Sequence, residues 1–115
     1  MTSLIFLLSC NLIGAEDIVE VSSQPDIEQG QEIYQLHCLS CHGVKGHGDG
    51  PRATTLAPRP GNLVSAATSS KTDEELLIVI TKGVPRTAMI GWEDQLSLDD
   101  RRNVLAYIRS LVHFP

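Results

Sequence analysis

Residues Cys38-Leu39-Ser40-Cys41-His42 spell C-x-x-C-H, and no other stretch restricts the architecture of the chain as strongly. Two thiols three positions apart, with an imidazole directly after them, match the spacing of c-type haem attachment: each sulfur reaches one vinyl group and the histidine lies under the iron. A chain with this pattern is expected to wrap a flat apolar macrocycle, and so to be short of protein core and rich in long loops. Length and composition agree. The 115 residues fit one small domain with a thin core. Two Phe, two Tyr and one Trp suit a domain whose main aromatic body is a cofactor.

Two other chemistries share the pattern, and each makes a demand elsewhere in the chain. A structural zinc site needs four ligands, usually with a second Cys/His pair. The third cysteine is Cys10, inside an apolar N-terminal run, so no second pair exists. A thioredoxin-like dithiol calls for a βαβ setting, whereas Gly43 to Gly50 is glycine-rich and the segments beyond it carry helical, not alternating, patterns. The net charge of −5 argues against nucleic acid as a partner.

The apolar stretch from Leu4 to about Ile13 falls short of the roughly 20 residues of a membrane-spanning helix, and it is similar to the apolar part of a secretory signal. Residues 1–15 are therefore expected to be a signal peptide or lipoprotein signal. Cleavage after Ala15 is one outcome. Processing at Leu7-Leu8-Ser9-Cys10 is the other, and it would leave Cys10 as a lipidated anchor. The thioether chemistry implies assembly outside the bacterial cytoplasm, so the expected location is periplasmic or exported. Residues 16–25 read as an acidic linker, and residues 26–112 as the haem domain.

Three helices are expected in that domain. The first runs from about Asp26 to His37, with Ile27, Ile33, Tyr34 and Leu36 as candidate buried positions. The second runs from about Thr72 to Lys82, opened by a Thr72/Glu75 capping box, stopped by Gly83, and carrying Leu76, Leu77, Val79 and Ile80 on its apolar face. The third runs from about Leu98 to Val112 with Ser97 as N-cap, Asp99 and Asp100 at its positive end, and Val104, Leu105, Tyr107, Ile108 and Leu111 facing inward. No strand pattern or internal repeat is present, so the fold class is all-α.

From about Asp26 to Leu111 the chain resembles a class I cytochrome c, as found in small bacterial mono-haem proteins. Gly30-x-x-x-Tyr34 is similar to the family's glycine-to-aromatic pair, which lets the first and last helices cross closely; Tyr107 and Leu105 are expected opposite it. Gly46-His47-Gly48-Asp49-Gly50-Pro51 and Pro58-Arg59-Pro60-Gly61-Asn62-Leu63 resemble loops of the same proteins. Gly83-Val84-Pro85-Arg86-Thr87-Ala88-Met89 resembles the loop that brings the sixth iron ligand. The sequence departs from the family where Ile90-Gly91-Trp92 follows Met89, a place where many members have Pro.

The resemblance implies one covalent haem c on Cys38 and Cys41, and His42 and Met89 as its metal ligands. His42 is expected to donate its second ring nitrogen to a carbonyl of the proline loop, with Pro58 ahead of Pro60 as acceptor. Packing its thioether in a core gap is the competing role for Met89. Arg59 and Trp92 are implied as hydrogen-bond donors to haem propionates, with a surface arginine and a packing tryptophan as the alternatives. His37, His47 and His113 are read as rim, loop and surface residues.

A six-coordinate iron leaves no position for substrate, so the implied function is outer-sphere electron transfer between a respiratory donor and an oxidase or reductase, with no catalytic residue. Two other classes stay in view: a haem subunit of a larger respiratory or dehydrogenase complex, and a sensor or peroxidase-like enzyme with an open iron site. Charge bears on partners. Glu16 to Glu32 holds six acidic and no basic residues, whereas Cys38 to Trp92 holds Lys45, Arg52, Arg59, Lys71, Lys82 and Arg86 against Asp49, Asp73, Glu74 and Glu75. A weakly basic rim on the haem-bearing middle would steer docking to an acidic redox partner; scattered solvated charges are the alternative.

Overall fold

A computed structural model describes residues 24–113. The expected signal segment at 1–15, Cys10, and all but the end of the linker at 16–25 lie outside the described residues. The elements in order are α1 (Ile27–His37), α2 (Leu39–His42), a 3-10 turn (Ala53–Thr55), α3 (Ala66–Ser69), α4 (Asp73–Lys82) and α5 (Leu98–Ser110). No strand occurs among the described residues; the sheet-like pairing is a single bridge between Gly83 and Ile90. The all-α expectation holds. Its three helices are α1, α4 and α5, and two single-turn helices add to them.

Each long helix begins where side-chain chemistry places a cap. Asp26 accepts the amide of Gln29 at 3.1 Å and opens α1. Thr72 and Glu75 form the reciprocal capping box of α4, and Ser97 accepts the amide of Asp100 at the start of α5. These oxygens satisfy amides that have no intrahelical partner. The acidic first turns of α4 and α5 lie against the positive helix ends. Helix α5 stops at Ser110, two residues before the expected end, and Leu111 caps it.

The first and last helices cross in direct contact. Ile33, Tyr34, Val104, Leu105 and Ile108 are buried at this crossing, and Tyr34 and Val104 are fully enclosed. Burying side chains of this size contributes about 1.5–3 kcal/mol each. A Cβ on Gly30 would overlap the main-chain carbonyl of Asn103 and lie 3.0 Å from Tyr107 Cβ. The glycine is what allows this approach. The rings of Tyr34 and Tyr107 meet at 5.2 Å and 59°, and the Asn103 side chain accepts the amide of Asp26 at 2.8 Å.

Two arginines of α5 then fix α4. Arg101 donates to Thr81 Oγ1 at 2.7 Å near the end of α4. Arg109 pairs with Asp73 at 3.0 Å at its start and also reaches the carbonyl of Lys71.

Two of the expected buried positions are exposed. Leu36 is 77% exposed and Ile27 48%. The face that meets α5 is formed by Gly30, Ile33 and Tyr34 at helical i, i+3, i+4 spacing. Leu36 points about a third of a turn away from it, and Ile27 sits at the first position of the helix. On α4 only Ile80 is buried; Leu76, Leu77 and Val79 are half-exposed. The described core comprises eight buried apolar residues, and the apolar face of α4 is left partly uncovered.

Candidate functional site

The chain passes from α1 into α2 through Cys38, so that Cys38, Cys41 and His42 fall within one helical turn. Positions i and i+3 of a helix lie on one side, which puts the two thiols side by side. Both are free and half-buried. As a thiol, Cys38 is pushed up to about 12 by burial, with Cys41 adding to it.

A helix this short leaves its last carbonyls without partners, and the glycine-rich loop supplies them. The amide of Gly48 donates to the carbonyl of His42 at 2.8 Å, that of Gly50 to Cys41 at 3.1 Å, and that of Arg52 to Ser40 at 2.8 Å. Loop 43–52 therefore wraps the C-terminal end of the C-x-x-C-H turn and holds it from below. The fully enclosed Tyr34 adds a bond from α1, its hydroxyl donating to the carbonyl of Gly43 at 2.6 Å. Burial first, then Cys38, Tyr107 and Asp49, pushes that hydroxyl far above the ordinary tyrosine value, so it stays a donor.

Replacing Tyr34 by Phe is expected to cost about 1 kcal/mol in denaturant unfolding, the net value of one such bond, because the amide of Gly46 still reaches the same carbonyl. Linkage gives a second signature. The unfolded tyrosine ionises near 10 while the folded one does not, so folding stability contributed by Tyr34 is present below that pH and falls as pH rises above it. The Phe variant should show a flatter alkaline loss. An identical slope in the two proteins would remove Tyr34 as its source.

The glycine-rich loop also docks the next one: Leu63 donates to the carbonyl of Gly46 at 2.6 Å. This pins residues 58–63 beside the haem-attachment turn and sets the Gly61 carbonyl 3.0 Å from His42 Nδ1. The acceptor is thus Gly61, a correction to Pro58 and to Pro60. All three belong to the same loop, but the Leu63 anchor turns the carbonyl of Gly61 toward the imidazole. Burial lowers the His42 pKa, and the Gly61 bond works against it. The net result is a neutral imidazole with Nδ1–H held and Nε2 left as a lone-pair donor, the form that ligates a metal.

Met89 is half-buried on the loop between α4 and α5. The neck of that loop is narrow. Val84 donates to the carbonyl of Met89 at 3.0 Å, Trp92 to that of Ile80 at 2.9 Å, and Lys82 pairs with Glu93 at 3.0 Å. Cβ atoms on Gly83 or Gly91 would overlap the facing backbone. Trp92 is half-buried, packs against the core, and lies with its ring 4.8 Å from that of His37. It therefore joins the methionine loop to the residue preceding Cys38. Arg59 is exposed and makes no hydrogen bond or ion pair among the described residues. Pro58 is exposed as well.

The sequence motifs did not point to Gly61, to the amides of Gly48, Gly50 and Arg52, or to Thr87, whose hydroxyl accepts the amide of Met89 at 3.1 Å. Main-chain acceptors and donors carry no residue signature. The signal available for Thr87 was its place two residues before Met89 in a Pro-containing turn.

The residues present fit a porphyrin. Two adjacent free thiols, a neutral imidazole with one nitrogen held, and half-covered apolar side chains on Leu63, Leu76, Leu77 and Trp92 bordering a small core are what a covalently held macrocycle needs. Among the described residues, no group of three or more His, Cys, Asp or Glu is placed to hold a metal ion.

A family model described as cytochrome c oxidase, cbb3-type, subunit III matches residues 25–108. Cytochrome c55X of Paracoccus denitrificans is 35% identical over 91 residues, covering 76% of this chain and 80% of that protein. The chain belongs to the class I cytochromes c. The cytochrome is also similar to a chain of the reducing HAO-like protein complex of Kuenenia stuttgartiensis, at 30% identity and a TM-score of 0.67, covering 76% of this chain and 43% of that one. A cytochrome bc1 complex cytochrome c subunit of Corynebacterium diphtheriae is 27% identical over 92 residues, covering 78% of this chain and 29% of that one. The cytochrome thus spans less than half of each of these two longer relatives. It binds haem c covalently and is an electron-transfer protein.

Proposed function

We propose that this cytochrome carries single electrons between redox proteins through an iron held by His42 and Met89. The observation that carries the proposal is the His42–Gly61 bond, which holds a neutral imidazole in one tautomer and one orientation. The narrow-necked loop supports Met89 as the opposite ligand, because a methionine on a loop tied this closely has its backbone fixed. When bound, haem c supplies a one-electron iron couple, which thioether ligation tunes toward the ferrous form. The chain's own work is to hold that couple rigidly and to exclude water and competing ligands. His42 is fixed by Gly61, the attachment turn by the amides of Gly48, Gly50 and Arg52, and Met89 by its loop. Arg59 and Trp92 are assigned to the propionate edge, Arg59 from its exposure and Trp92 from its place beside His37. No residue is assigned a catalytic role.

The oxidised holoprotein is expected to show the weak absorption band near the red end that marks iron–thioether ligation. Met89→Ala should keep covalent haem, lose that band, and bind carbon monoxide readily when reduced. If the unsubstituted protein lacked the band at neutral pH and bound carbon monoxide readily, the open-iron sensor or enzyme would be the correct class.

The partners are proposed to be a respiratory donor and an oxidase or reductase, met outside the cytoplasm. Thioether attachment, the apolar segment at residues 4–13 and the lipidation sequence ending at Cys10 support that location. No helix among the described residues is long and apolar enough to cross a membrane. A second reading, a haem module within a larger assembly, is favoured by the two longer relatives, whose names place them in complexes. Co-purification of the tagged native chain separates the two: a stoichiometric complex surviving at high salt indicates a subunit, and a monomer indicates a carrier.

A further inference from the structure

The loop from Gly83 to Gly91 is fixed at its neck by main chain and at its tip by one side chain. The neck bonds and the Lys82–Glu93 pair hold both ends of the loop. Between them, the tip turns through Arg86, whose φ of 61° lies in the left-handed region. Side chains other than glycine and Asn/Asp adopt this conformation reluctantly, so a turn built on it opens unless neighbouring contacts hold it closed.

The Thr87 hydroxyl provides such a contact on both sides of the turn. It donates to the carbonyl of Val84 at 2.8 Å and accepts the amide of Met89 at 3.1 Å. The amide of Thr87 reaches the same Val84 carbonyl at 3.3 Å, and the amide of Val84 reaches the carbonyl of Met89 at 3.0 Å. Residues 84–89 therefore form a closed ring in which Thr87 supplies the side-chain bonds. The residue after Met89 is Ile90, so no proline ring restricts the chain on that side. Without the hydroxyl, the Met89 amide loses its partner and the left-handed turn loses its brace.

We propose that Thr87 is a positioning residue for the sixth iron ligand: its hydroxyl holds the Met89 backbone so that the thioether stays on the iron. This rests on Met89 being that ligand. The test uses the holoprotein with Thr87→Val, which keeps shape and removes both hydroxyl bonds, Thr87→Ser, which restores them, and Met89→Ala. The readouts are the pH at which the oxidised protein loses the thioether band, the rate of carbon monoxide binding to the reduced protein, and the urea midpoint.

Thr87→Val should keep covalent haem, lose the band at lower pH, and bind carbon monoxide about tenfold faster, the factor expected for losing one to two net hydrogen bonds. Thr87→Ser should bring both values back. Unchanged band and binding rate in Thr87→Val, with the band present in the unsubstituted protein and absent in Met89→Ala, would overturn the role of Thr87 and leave the ligand assignment standing. A Ser variant as defective as the Val variant, with an equal drop in urea midpoint, would also overturn it, since that pattern belongs to methyl packing. Identical spectra for the unsubstituted protein and Met89→Ala would overturn both.

Discussion

Gly30→Ala is expected to destabilise the holoprotein by about 2–3 kcal/mol, in the range seen when a well-packed contact is overfilled. Helix propensity predicts the opposite sign. Alanine in place of glycine inside a helix ordinarily gains about 1 kcal/mol, and Gly30 sits in the second turn of α1. The reversal comes from the crossing with α5. The added Cβ meets the main-chain carbonyl of Asn103, which cannot rotate aside as a side chain would. Relief requires α5 to move away, and that movement loosens Tyr34 against Tyr107 together with the packing of Val104, Leu105 and Ile108. Urea unfolding of the two proteins followed by far-ultraviolet circular dichroism reads the difference. An alanine variant as stable as the parent would mean that α1 and α5 cross less closely than described.

Removing the haem should have a still larger effect. A Cys38→Ala/Cys41→Ala protein is expected to give no covalent haem in a pyridine haemochrome assay and to lose its cooperative thermal transition. The reason is the size of the protein core. Among the described residues eight apolar ones are buried, and two of the side chains are fully enclosed. Leu63, Leu76, Leu77 and Trp92 lie against this cluster with part of their surface uncovered. A chain of this length buries a smaller share of its surface than a larger domain does, and a native margin of about 5–15 kcal/mol leaves little room for losing the largest apolar body in the fold. A sharp transition in the double variant, with helix content near that of the holoprotein, would show that the polypeptide folds by itself.

The parts of this molecule that the sequence made legible are those governed by side chains. Thr72 with Glu75, and Ser97, mark helix starts because each cap is a side-chain oxygen at a fixed offset, and both lie where expected; Asp26, read as the first residue of its helix, is its cap. The Gly30/Tyr34 pair was readable for the same reason, as a missing side chain beside a large one. Periodicity was less informative at Ile27 and Leu36. It shows that a helix has an apolar side, not how wide a strip the partner helix covers. The Gly61 acceptor was hidden because any residue offers a carbonyl, and the Leu63–Gly46 anchor that aims it links two loops 17 positions apart in sequence. For Met89, the resemblance marked the loop, while the Thr87 bonds that close it became visible only in three dimensions.

The crossing of α1 with α5 also fixes when the domain can form. Its two halves are the first and last elements of the described chain, so most of the core pairs residues near position 34 with residues near position 104. Contacts this distant in sequence form late and slow folding. During synthesis Cys38, Cys41 and His42 are complete some sixty residues before Val104, so the attachment turn exists as chain before the helix that packs against α1. The order of the chain thus makes the attachment turn available before the core formed by α1 and α5 can close.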